Sequence, residues 1–190
     1  MHPLGVLIDP KGGAVVPSTG RYSKRLNELR GIYRDQEAIN AILAARGDIV
    51  AYDVLEFIRP GADIGFGTTT MYPGCVGEEF FMTRGHFHKR RDRAEIYYTQ
   101  SGEGLLLLES REGETQTVDM KPGSCAFIPP DWAHRSINTG NVPLVFVWVC
   151  NPDAGHDYDE ILARGMRNLV VSRDGGVALM PNPNWPIYCL

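Results

Sequence analysis

The sequence contains few cysteines, and they form no recognisable pattern. Only four of the 190 residues are cysteine, and no two of them are separated by just two residues. Disulfide frameworks and zinc ribbons depend on such regular spacing, so the sequence argues against both. This use of cysteine favours a reducing compartment, and we expect the cytoplasm. The four residues are Cys75, Cys125, Cys150 and Cys189.

The chain also lacks long apolar runs and any excess of basic charge. No stretch approaches the roughly 18 apolar residues of a membrane-spanning helix, and the N-terminus lacks the basic-then-apolar layout of a signal peptide. Lysine and arginine number 19 against 23 aspartate and glutamate residues, a formal net charge of -4. We therefore expect neither a membrane nor a nucleic-acid partner, although local donors could still hold a small anionic ligand.

What the chain does contain is a long succession of short strand-like segments. Between residues 49 and 150, runs rich in Val, Ile, Phe, Tyr and Thr alternate with turns marked by Gly and Pro. Short strands at such regular spacing are typical of a β-sandwich or a β-barrel. We predict strands at 49–58, 64–72, 78–83, 94–100, 104–110, 115–120, 124–128, 133–138 and 143–150.

Two helices are predicted outside this region. Asp35 is a suitable N-cap, Gly47 ends the helix, and four apolar residues between them fall on one helical stripe. A shorter helix is predicted at 159–163, followed by a closing strand at 168–180. The stripe consists of Ala38, Ile39, Ile42 and Leu43.

The length of the chain suits one compact domain. Residues 1–48 read as an N-terminal arm and helix that pack on a barrel formed by residues 49–190. Within the arm, the first thirty residues look irregular, with strand fragments at 5–9 and 13–16. The predicted fold class is mainly all-β, with a few short helices at the periphery.

The strongest candidates for chemistry are three histidines and one glutamate. His86 and His88 are two residues apart, so in a strand both imidazoles point to the same face. Glu95 lies far enough along the chain to return on a neighbouring strand, and His134 follows later. Such a donor set suits a divalent transition metal and leaves positions open for a substrate. A His-X-His pair alone is weak evidence, because histidines also occur in cores with their nitrogens satisfied.

The residues around these candidates resemble the two signature motifs of the cupin superfamily, a jelly-roll barrel with a metal inside. In the second motif Asp131 takes the place of an inner Gly, while the ligand positions are retained. The first motif reads His86-X-His88, then Glu95, then six residues and Gly102. The second reads Gly123-X5-Pro129-X-Asp131-X2-His134-X3-Asn138.

The long spacing between His88 and Glu95 narrows the resemblance to one cupin family. Generic cupins place three or four residues between the second His and the Glu, whereas this chain has six, at 89–94. With this gap and four further blocks, residues 5–185 look like the cupin-type (archaeal-type) glucose-6-phosphate isomerases. The four blocks are residues 68–74, 78–88, 92–97 and 153–158.

The resemblance implies reversible interconversion of glucose 6-phosphate and fructose 6-phosphate at one divalent metal ion in a homodimer. The ion is expected to be Fe(II), with Mn(II), Zn(II) or Ni(II) as alternatives. By resemblance, the metal ligands are His86, His88, Glu95 and His134. Substrate contacts would come from Thr69, Thr83, Gly85, Tyr97, His156 and Tyr158. The residues with catalytic roles would be Glu95, His156 and Tyr97.

Several of these residues have a simpler structural interpretation. Glu95 is the obvious base for moving a proton between C1 and C2, yet a metal-bound carboxylate is a poor base. Either Glu95 detaches during turnover or a hydride shifts directly between the carbons. Tyr97 could be a core aromatic residue, His156 could cap the helix near 159, and Thr69 and Thr83 could be ordinary strand residues.

Three other functions remain open at this stage. A cupin dioxygenase uses the same kind of ligand set, and a sugar-binding or storage cupin would need no catalysis. Mannose 6-phosphate isomerisation is a further alternative, because Cys150 stands where the family is expected to have a Tyr lining the sugar site. The basic run at 89–93 is either a solvated surface or an attractor for the phosphate group.

Overall fold

The computed structural model describes residues 2–185, and β-strands make up most of its regular structure. The strands up to the first histidine cluster are β1 (Leu7–Ile8), β2 (Val15–Val16), β3 (Gly20–Arg25), β4 (Val50–Phe57), β5 (Gly65–Met71), β6 (Cys75–Val76), β7 (Glu79–Phe80) and β8 (Phe87–His88). The remaining strands are β9 (Glu95–Ser101), β10 (Gly104–Ser110), β11 (Thr115–Met120), β12 (Cys125–Ile128), β13 (Trp132–Asn138), β14 (Leu144–Cys150), β15 (His156–Asp157), β16 (Asn168–Arg173) and β17 (Gly176–Pro181).

Two antiparallel sheets form the body of the molecule. One has six strands in the order β12-β9-β14-β5-β4-β3, and the other has the order β11-β10-β13. Isolated bridges from Met82 to Ile137 and from His86 to His134 add the 82–88 segment to the free side of β13. This arrangement confirms the prediction of a mainly β, jelly-roll fold. Smaller sheets at the periphery have the orders β17-β16-β7-β6, β15-β8 and β1-β2.

The two main sheets bury their facing side chains in a common core. On β9, Glu95 and Tyr97 are buried while Ile96 and Tyr98 are exposed, as a period of two requires for a sheet with one solvent-facing side. Each large apolar side chain removed from water contributes about 1.5–3 kcal/mol to folding. Fully buried members from both sheets include Met71, Leu106, Ile137 and Phe146.

The predicted helices are confirmed. The first, α1, spans Gln36–Arg46; the Asp35 carboxylate accepts a hydrogen bond from the Ala38 amide at 2.8 Å. Gly47 follows it with a positive φ of 72° and donates its N–H to the Leu43 carbonyl, which explains why Gly ends the helix. The second, α2, spans Asp159–Arg164. No helix of the described chain combines the length and apolar character needed to cross a lipid bilayer.

Three local predictions were wrong or incomplete. Part of the N-terminal arm is regular structure: β3 pairs with β4 in the main sheet, and a 3-10 helix spans Leu26–Ile32. The predicted strand at 78–83 is only the two-residue β7. The predicted strand at 168–180 is a hairpin of β16 and β17, because Asp174 and Gly175 both have positive φ and reverse the chain. Cys189 lies outside the described residues.

A chain of alternating charges runs along the side of the barrel that carries α2. Asp131 accepts hydrogen bonds from Arg91 and Arg111, and Arg111 also pairs with Glu160. Glu160 in turn accepts from Arg164, whose guanidinium also reaches the fully buried carboxylate of Glu109. Asp131 has a φ of 64°, the left-handed conformation that explains the Gly expected at this motif position.

Candidate metal centre and substrate cavity

Three separate elements bring the four predicted ligands together. His86 and His88 lie in the 86–88 segment, His134 lies on β13, and Glu95 begins β9 in the opposite sheet. Their ligand atoms all lie within 4.8 Å of one another. The expectation that Glu95 returns on a strand next to the histidines was wrong. β9 is hydrogen-bonded to β12 and β14, so Glu95 meets the imidazoles across the interior of the barrel.

Backbone carbonyls fix the orientation of two imidazole rings. The Nδ1 atom of His88 lies 2.9 Å from the Arg93 carbonyl oxygen, and that of His134 lies 3.3 Å from the Trp132 carbonyl oxygen. A carbonyl oxygen can only accept, so Nδ1 carries the proton in both rings. Both Nε2 atoms then face Glu95 Oε2, at 3.2 Å from His88 and 3.1 Å from His134.

This arrangement fits a bound cation. With the proton at Nδ1, each neutral ring directs an Nε2 lone pair at a carboxylate oxygen, and lone pairs facing one another at 3 Å repel unless a positive charge lies among them. The Nε2 atoms of His86 and His134 are buried and have no hydrogen-bond partner among the described residues. Three imidazoles and one carboxylate are the donor chemistry of a divalent transition metal, and second-shell carbonyls of this kind orient metal-binding histidines.

The protonation states of the cluster agree with that interpretation. Burial raises the pKa of Glu95. When a proton rather than a metal ion occupies Nε2 of His134 or His88, that ring donates to Glu95, and these hydrogen bonds outweigh burial and hold the pKa of Glu95 well below its usual range. Burial and the neighbouring histidines lower the pKa of His86, which keeps this ring neutral. Burial lowers the pKa of His88, but the Glu95 carboxylate and the Arg93 carbonyl together outweigh burial, so the net effect is a raised pKa. A proton and a metal ion therefore compete for the same Nε2.

The cluster opens into a cavity of about 260 Å³. The inner faces of both main sheets and the 152–158 segment contribute to its walls. All of the substrate-binding and catalytic candidates from the sequence lie in this lining, together with the ligand cluster. They are Thr69, Thr83, Gly85, Glu95, Tyr97, His156 and Tyr158.

His156 and Tyr158 form one wall against the metal cluster. The His156 ring centroid lies 4.3 Å from that of His86, and the Tyr158 ring stacks on His156 at 5.5 Å. The alternative in which His156 caps the following helix is wrong, because Tyr158 is the N-cap of α2 and no side chain caps it. Burial lowers the pKa of His156, so its imidazole is neutral at physiological pH.

Tyr97 and Cys150 lie on adjacent strands beside Glu95. Tyr97 shares the buried face of β9 with Glu95, and its ring lies 5.7 Å from His134 and 4.7 Å from Phe146. Burial raises the pKa of Tyr97, which keeps its phenol protonated. Burial and the Glu95 carboxylate also raise the pKa of Cys150 to about 12, so this residue lines the cavity as a neutral thiol.

The segment 83–85 forms another part of the cavity wall. The Thr83 hydroxyl oxygen accepts a hydrogen bond from the Ser136 amide at 3.0 Å, which leaves the hydroxyl proton free to be donated elsewhere. Gly85 has a φ of 75°, and a Cβ at this position would lie 2.9 Å from the Arg135 Nε atom. Both the backbone conformation and the close packing therefore require glycine here.

None of residues 89–93 lines the cavity, and the three arginines of this basic run are paired with carboxylates. Asp153 pairs with the guanidinium groups of Arg90 and Arg93, and Asp131 pairs with that of Arg91. Because these arginines are engaged by carboxylates, the alternative in which the run attracts a phosphate group is not supported.

The polar residues of the lining that sequence reasoning missed include Tyr22, Tyr52 and Glu56, whereas the role of Arg84 was left open. Tyr22 lies on β3, which was not predicted as part of the sheet. Arg84 is the one lysine or arginine in the lining formed by the described residues. Its guanidinium lies 5.2 Å from the Tyr158 ring centroid and donates to the Glu28 carbonyl at 3.0 Å. The signal for Arg84 in the sequence was its position directly before Gly85, a proposed substrate contact.

Comparison with known proteins assigns the family. A family model described as "Glucose-6-phosphate isomerase (GPI)" matches residues 23–185. The glucose-6-phosphate isomerase of Thermococcus kodakarensis is 44% identical over 186 residues, covering 97% of both chains. The chain belongs to the glucose-6-phosphate isomerase family.

Further relatives named for the same activity come from other organisms. The glucose-6-phosphate isomerase of Pyrococcus horikoshii is 42% identical and covers 97% of both chains. Putative glucose-6-phosphate isomerase 1 of Rhizobium meliloti is 46% identical and covers 97% of this chain and 88% of its own. Oxalate decarboxylase of Bacillus subtilis, a solved structure, is 22% identical with a TM-score of 0.47, covering 56% of this chain and 27% of its own, a likeness too slight to bear on function.

Replacing His88 by Ala is expected to remove the metal and preserve the fold. The substitution deletes one Nε2 donor, while the backbone pairing of β8 with β15 needs no imidazole. We expect metal affinity to fall by at least about a hundredfold, since even outer-shell changes cost about 10–100-fold. Metal content measured by elemental analysis and near-UV circular dichroism would check this. The exposed His2→Ala serves as the matched control, and a normal metal content in His88→Ala would refute the ligand assignment.

Proposed function

We propose that this protein interconverts glucose 6-phosphate and fructose 6-phosphate in a metal-dependent reaction. The observation that carries the proposal is the meeting of His86, His88, Glu95 and His134 in the wall of a cavity that also presents phenol, hydroxyl and imidazole groups. The family to which the chain belongs is named for this isomerisation.

The metal would be held by the three imidazoles and the Glu95 carboxylate. Fe(II) is our proposal for the native ion, with Mn(II), Zn(II) and Ni(II) as alternatives, since imidazole and carboxylate ligands suit all four. When bound, such an ion supplies Lewis-acid stabilisation for negative charge on the sugar oxygens. The ionised state of Glu95 and the neutral state of His86 prepare the site for a cation.

The chain's own residues then orient the sugar and manage protons. Tyr97, whose phenol stays protonated, can donate a hydrogen bond to a sugar oxygen beside Glu95. His156 is neutral and can accept a proton from a ring hydroxyl, which is what opening a cyclic sugar requires. These roles follow from position and protonation state, and both the proton-transfer and the hydride-shift routes are compatible with them.

The phosphate group would bind against the 83–85 segment of the cavity wall. The Thr83 hydroxyl has a free proton to donate, and the Gly85 backbone is open to close approach. Thr69 on β5 and the phenol of Tyr158 add hydroxyl groups to the same lining. Hydroxyl and amide donors of this kind bind anions without carrying net charge.

Neither alternative chemistry is favoured over the isomerase. Dioxygenase or storage functions have no specific observation in their support, and relatives at 40–46% identity over nearly the whole chain carry the isomerase name. The thiol of Cys150 beside Glu95 changes the shape of the sugar site, but nothing in the geometry selects mannose 6-phosphate over the glucose isomer.

We also propose that the protein is a homodimer that acts in the cytoplasm. On the outer face of the six-stranded sheet, Phe127 pairs with Ile96, and Tyr98 lies two residues further along β9. These side chains are 63%, 41% and 45% exposed, and such grouped apolar residues on a sheet surface favour association. Cys75, Cys125 and Cys150 are free thiols, which suits a reducing compartment. Cell fractionation tests the compartment.

The isomerase proposal is tested with the purified protein after loading with Fe(II) or Mn(II). We expect conversion of fructose 6-phosphate to glucose 6-phosphate in an assay coupled to a glucose-6-phosphate dehydrogenase. EDTA should stop turnover, and adding back the metal should restore it. An oxygen electrode run in parallel tests the dioxygenase alternative. Absence of turnover in protein of verified metal content would contradict the proposal.

Replacing Thr83 by Ala is expected to raise KM by about tenfold with a smaller effect on kcat, as loss of one hydrogen bond to a charged group requires. Thr83→Ser keeps the hydroxyl and should stay close to wild type. The exposed strand residue Thr117 gives a matched control as Thr117→Ala. An unchanged KM in Thr83→Ala would remove Thr83 from the phosphate site.

Placing a charge in the exposed apolar group is expected to dissociate the dimer. Phe127→Asp should elute at the monomer mass in size-exclusion chromatography with light scattering, because an unpaired carboxylate cannot be buried at an interface. Val142, 51% exposed in a turn, provides the control Val142→Asp. A monomeric wild-type protein would contradict the homodimer, and a dimeric Phe127→Asp would move the interface elsewhere.

A further inference from the structure

Arg135 is a buried cation that forms no direct ion pair with a described residue. It lies on β13 next to His134, is 3% exposed, and is the one buried arginine or lysine in the described chain. Its Nη2 atom donates to the Arg84 carbonyl at 2.6 Å, while its Nε atom has no hydrogen-bond partner among residues 2–185. A buried charge in this condition is costly unless a negative group balances it.

Two buried carboxylates, those of Glu79 and Glu109, act on Arg135 without contacting its guanidinium. Within the described chain, no carboxylate oxygen lies within the 4.0 Å of an ion pair from its guanidinium. Glu109 is engaged by Arg164 and by the Arg167 amide. Glu79 directs one oxygen to the Arg34 amide, and its other oxygen is unpartnered. Because neither carboxylate contacts the guanidinium, the positive charge of Arg135 can also act on a further anion.

The guanidinium of Arg135 lies directly behind the 83–85 segment. A Cβ built on Gly85 would lie 2.9 Å from the Nε atom of Arg135. Only the backbone of this segment therefore separates the guanidinium from the cavity. Thr83 and Ser136 hold this segment to β13 through a pair of hydrogen bonds of 2.9 and 3.0 Å. The other side of the segment faces the cavity, where Arg84 supplies a cation in front.

We infer that Arg135 is a positioning residue whose buried charge balances the phosphate group of the substrate from behind the 83–85 segment, an inference that rests on the proposed function. A phosphate dianion seated on Thr83 and Gly85 would have the guanidinium of Arg84 at the cavity wall and that of Arg135 beneath. The positive charges of these two guanidinium groups match the two negative charges of the phosphate dianion. Because Arg135 is shielded from water, its field acts at full strength without being screened by salt. The uncharged hydroxyl groups of the cavity then orient the phosphate group, and the two arginines attract it.

The competing explanation is that Arg135 only holds the Arg84 carbonyl in place. Three variants separate the two roles. Arg135→Lys keeps the charge, Arg135→Gln keeps a donor but loses the charge, and Arg135→Met loses both. The exposed Arg46→Gln serves as the control for loss of a distant charge.

The deciding measurement compares two tetrahedral anions of different charge on the metal-loaded protein. Calorimetric titration gives the dissociation constants of sulfate, a dianion, and of methanesulfonate, a monoanion. Their ratio, the selectivity for the dianion, depends on the positive charge close to the bound anion. We expect this selectivity to fall by about tenfold in Arg135→Gln and Arg135→Met and to be kept in Arg135→Lys and Arg46→Gln. KM for fructose 6-phosphate should rise in the same two variants more than kcat falls.

Other outcomes overturn the inference. If both anions weaken equally, Arg135 acts only through the position of the loop; if neither changes, it has no part in anion binding. Failure of the proposed function is distinguishable, because a wild-type protein without isomerase activity could still show charge-dependent sulfate selectivity. Conversely, an active wild type whose selectivity is the same in all variants would refute this inference alone.

A measurement on the wild-type protein covers the case in which the neutral variants do not fold. In the Zn(II)-loaded protein, the Nε–H resonance of Arg135 is assigned by its loss in Arg135→Lys. Adding glucose 6-phosphate should shift this resonance, whereas adding glucose should not. A resonance that stays in place with glucose 6-phosphate would overturn the inference.

Discussion

The approach of two imidazole Nε2 atoms to one carboxylate oxygen is the contact on which the rest of this molecule depends. Glu95 comes from one sheet, His134 from the other, and His88 from a short segment added to the second sheet's edge. With the protons of both rings directed to backbone carbonyls, the three side chains cannot satisfy one another. The barrel interior therefore holds a set of donors that only a positive charge can complete, and sheet packing is what keeps them at that spacing.

The same principle of incomplete charge balance extends along the cavity. Glu95 and the imidazoles around it suit a cation, while Arg84 in the cavity wall and Arg135 behind the 83–85 segment suit an anion. The rest of the lining includes phenols, hydroxyls, a thiol and a neutral imidazole that can orient a sugar, together with apolar side chains and the Glu56 carboxylate. A ligand that carries electron-rich oxygens at one end and a dianion at the other matches this distribution.

Sequence reasoning located the features that are encoded locally. The alternation of buried and exposed residues on β9, the cap at Asp35 and the spacing of His86 and His88 are all readable within a few residues. Sequence reasoning could not predict which distant strands pair with one another. The sequence of β3, Gly-Arg-Tyr-Ser-Lys-Arg, has no alternation of apolar and polar residues, so β3 was not predicted. Its place in the sheet depends on pairing with β4. The position of Arg135 behind Gly85 likewise depends on an inter-strand contact 50 residues apart in the chain.

The distribution of the ligands along the chain has a consequence for biosynthesis. His86, His88 and Glu95 leave the ribosome well before His134, and β9 acquires both of its neighbours, β12 and β14, only after residue 150 has been made. A nascent polypeptide thus carries most of the donor atoms without the scaffold that aligns them. A metal site of this geometry therefore does not exist in the growing chain before residue 150 has been made, because its donors depend on the pairing of distant strands.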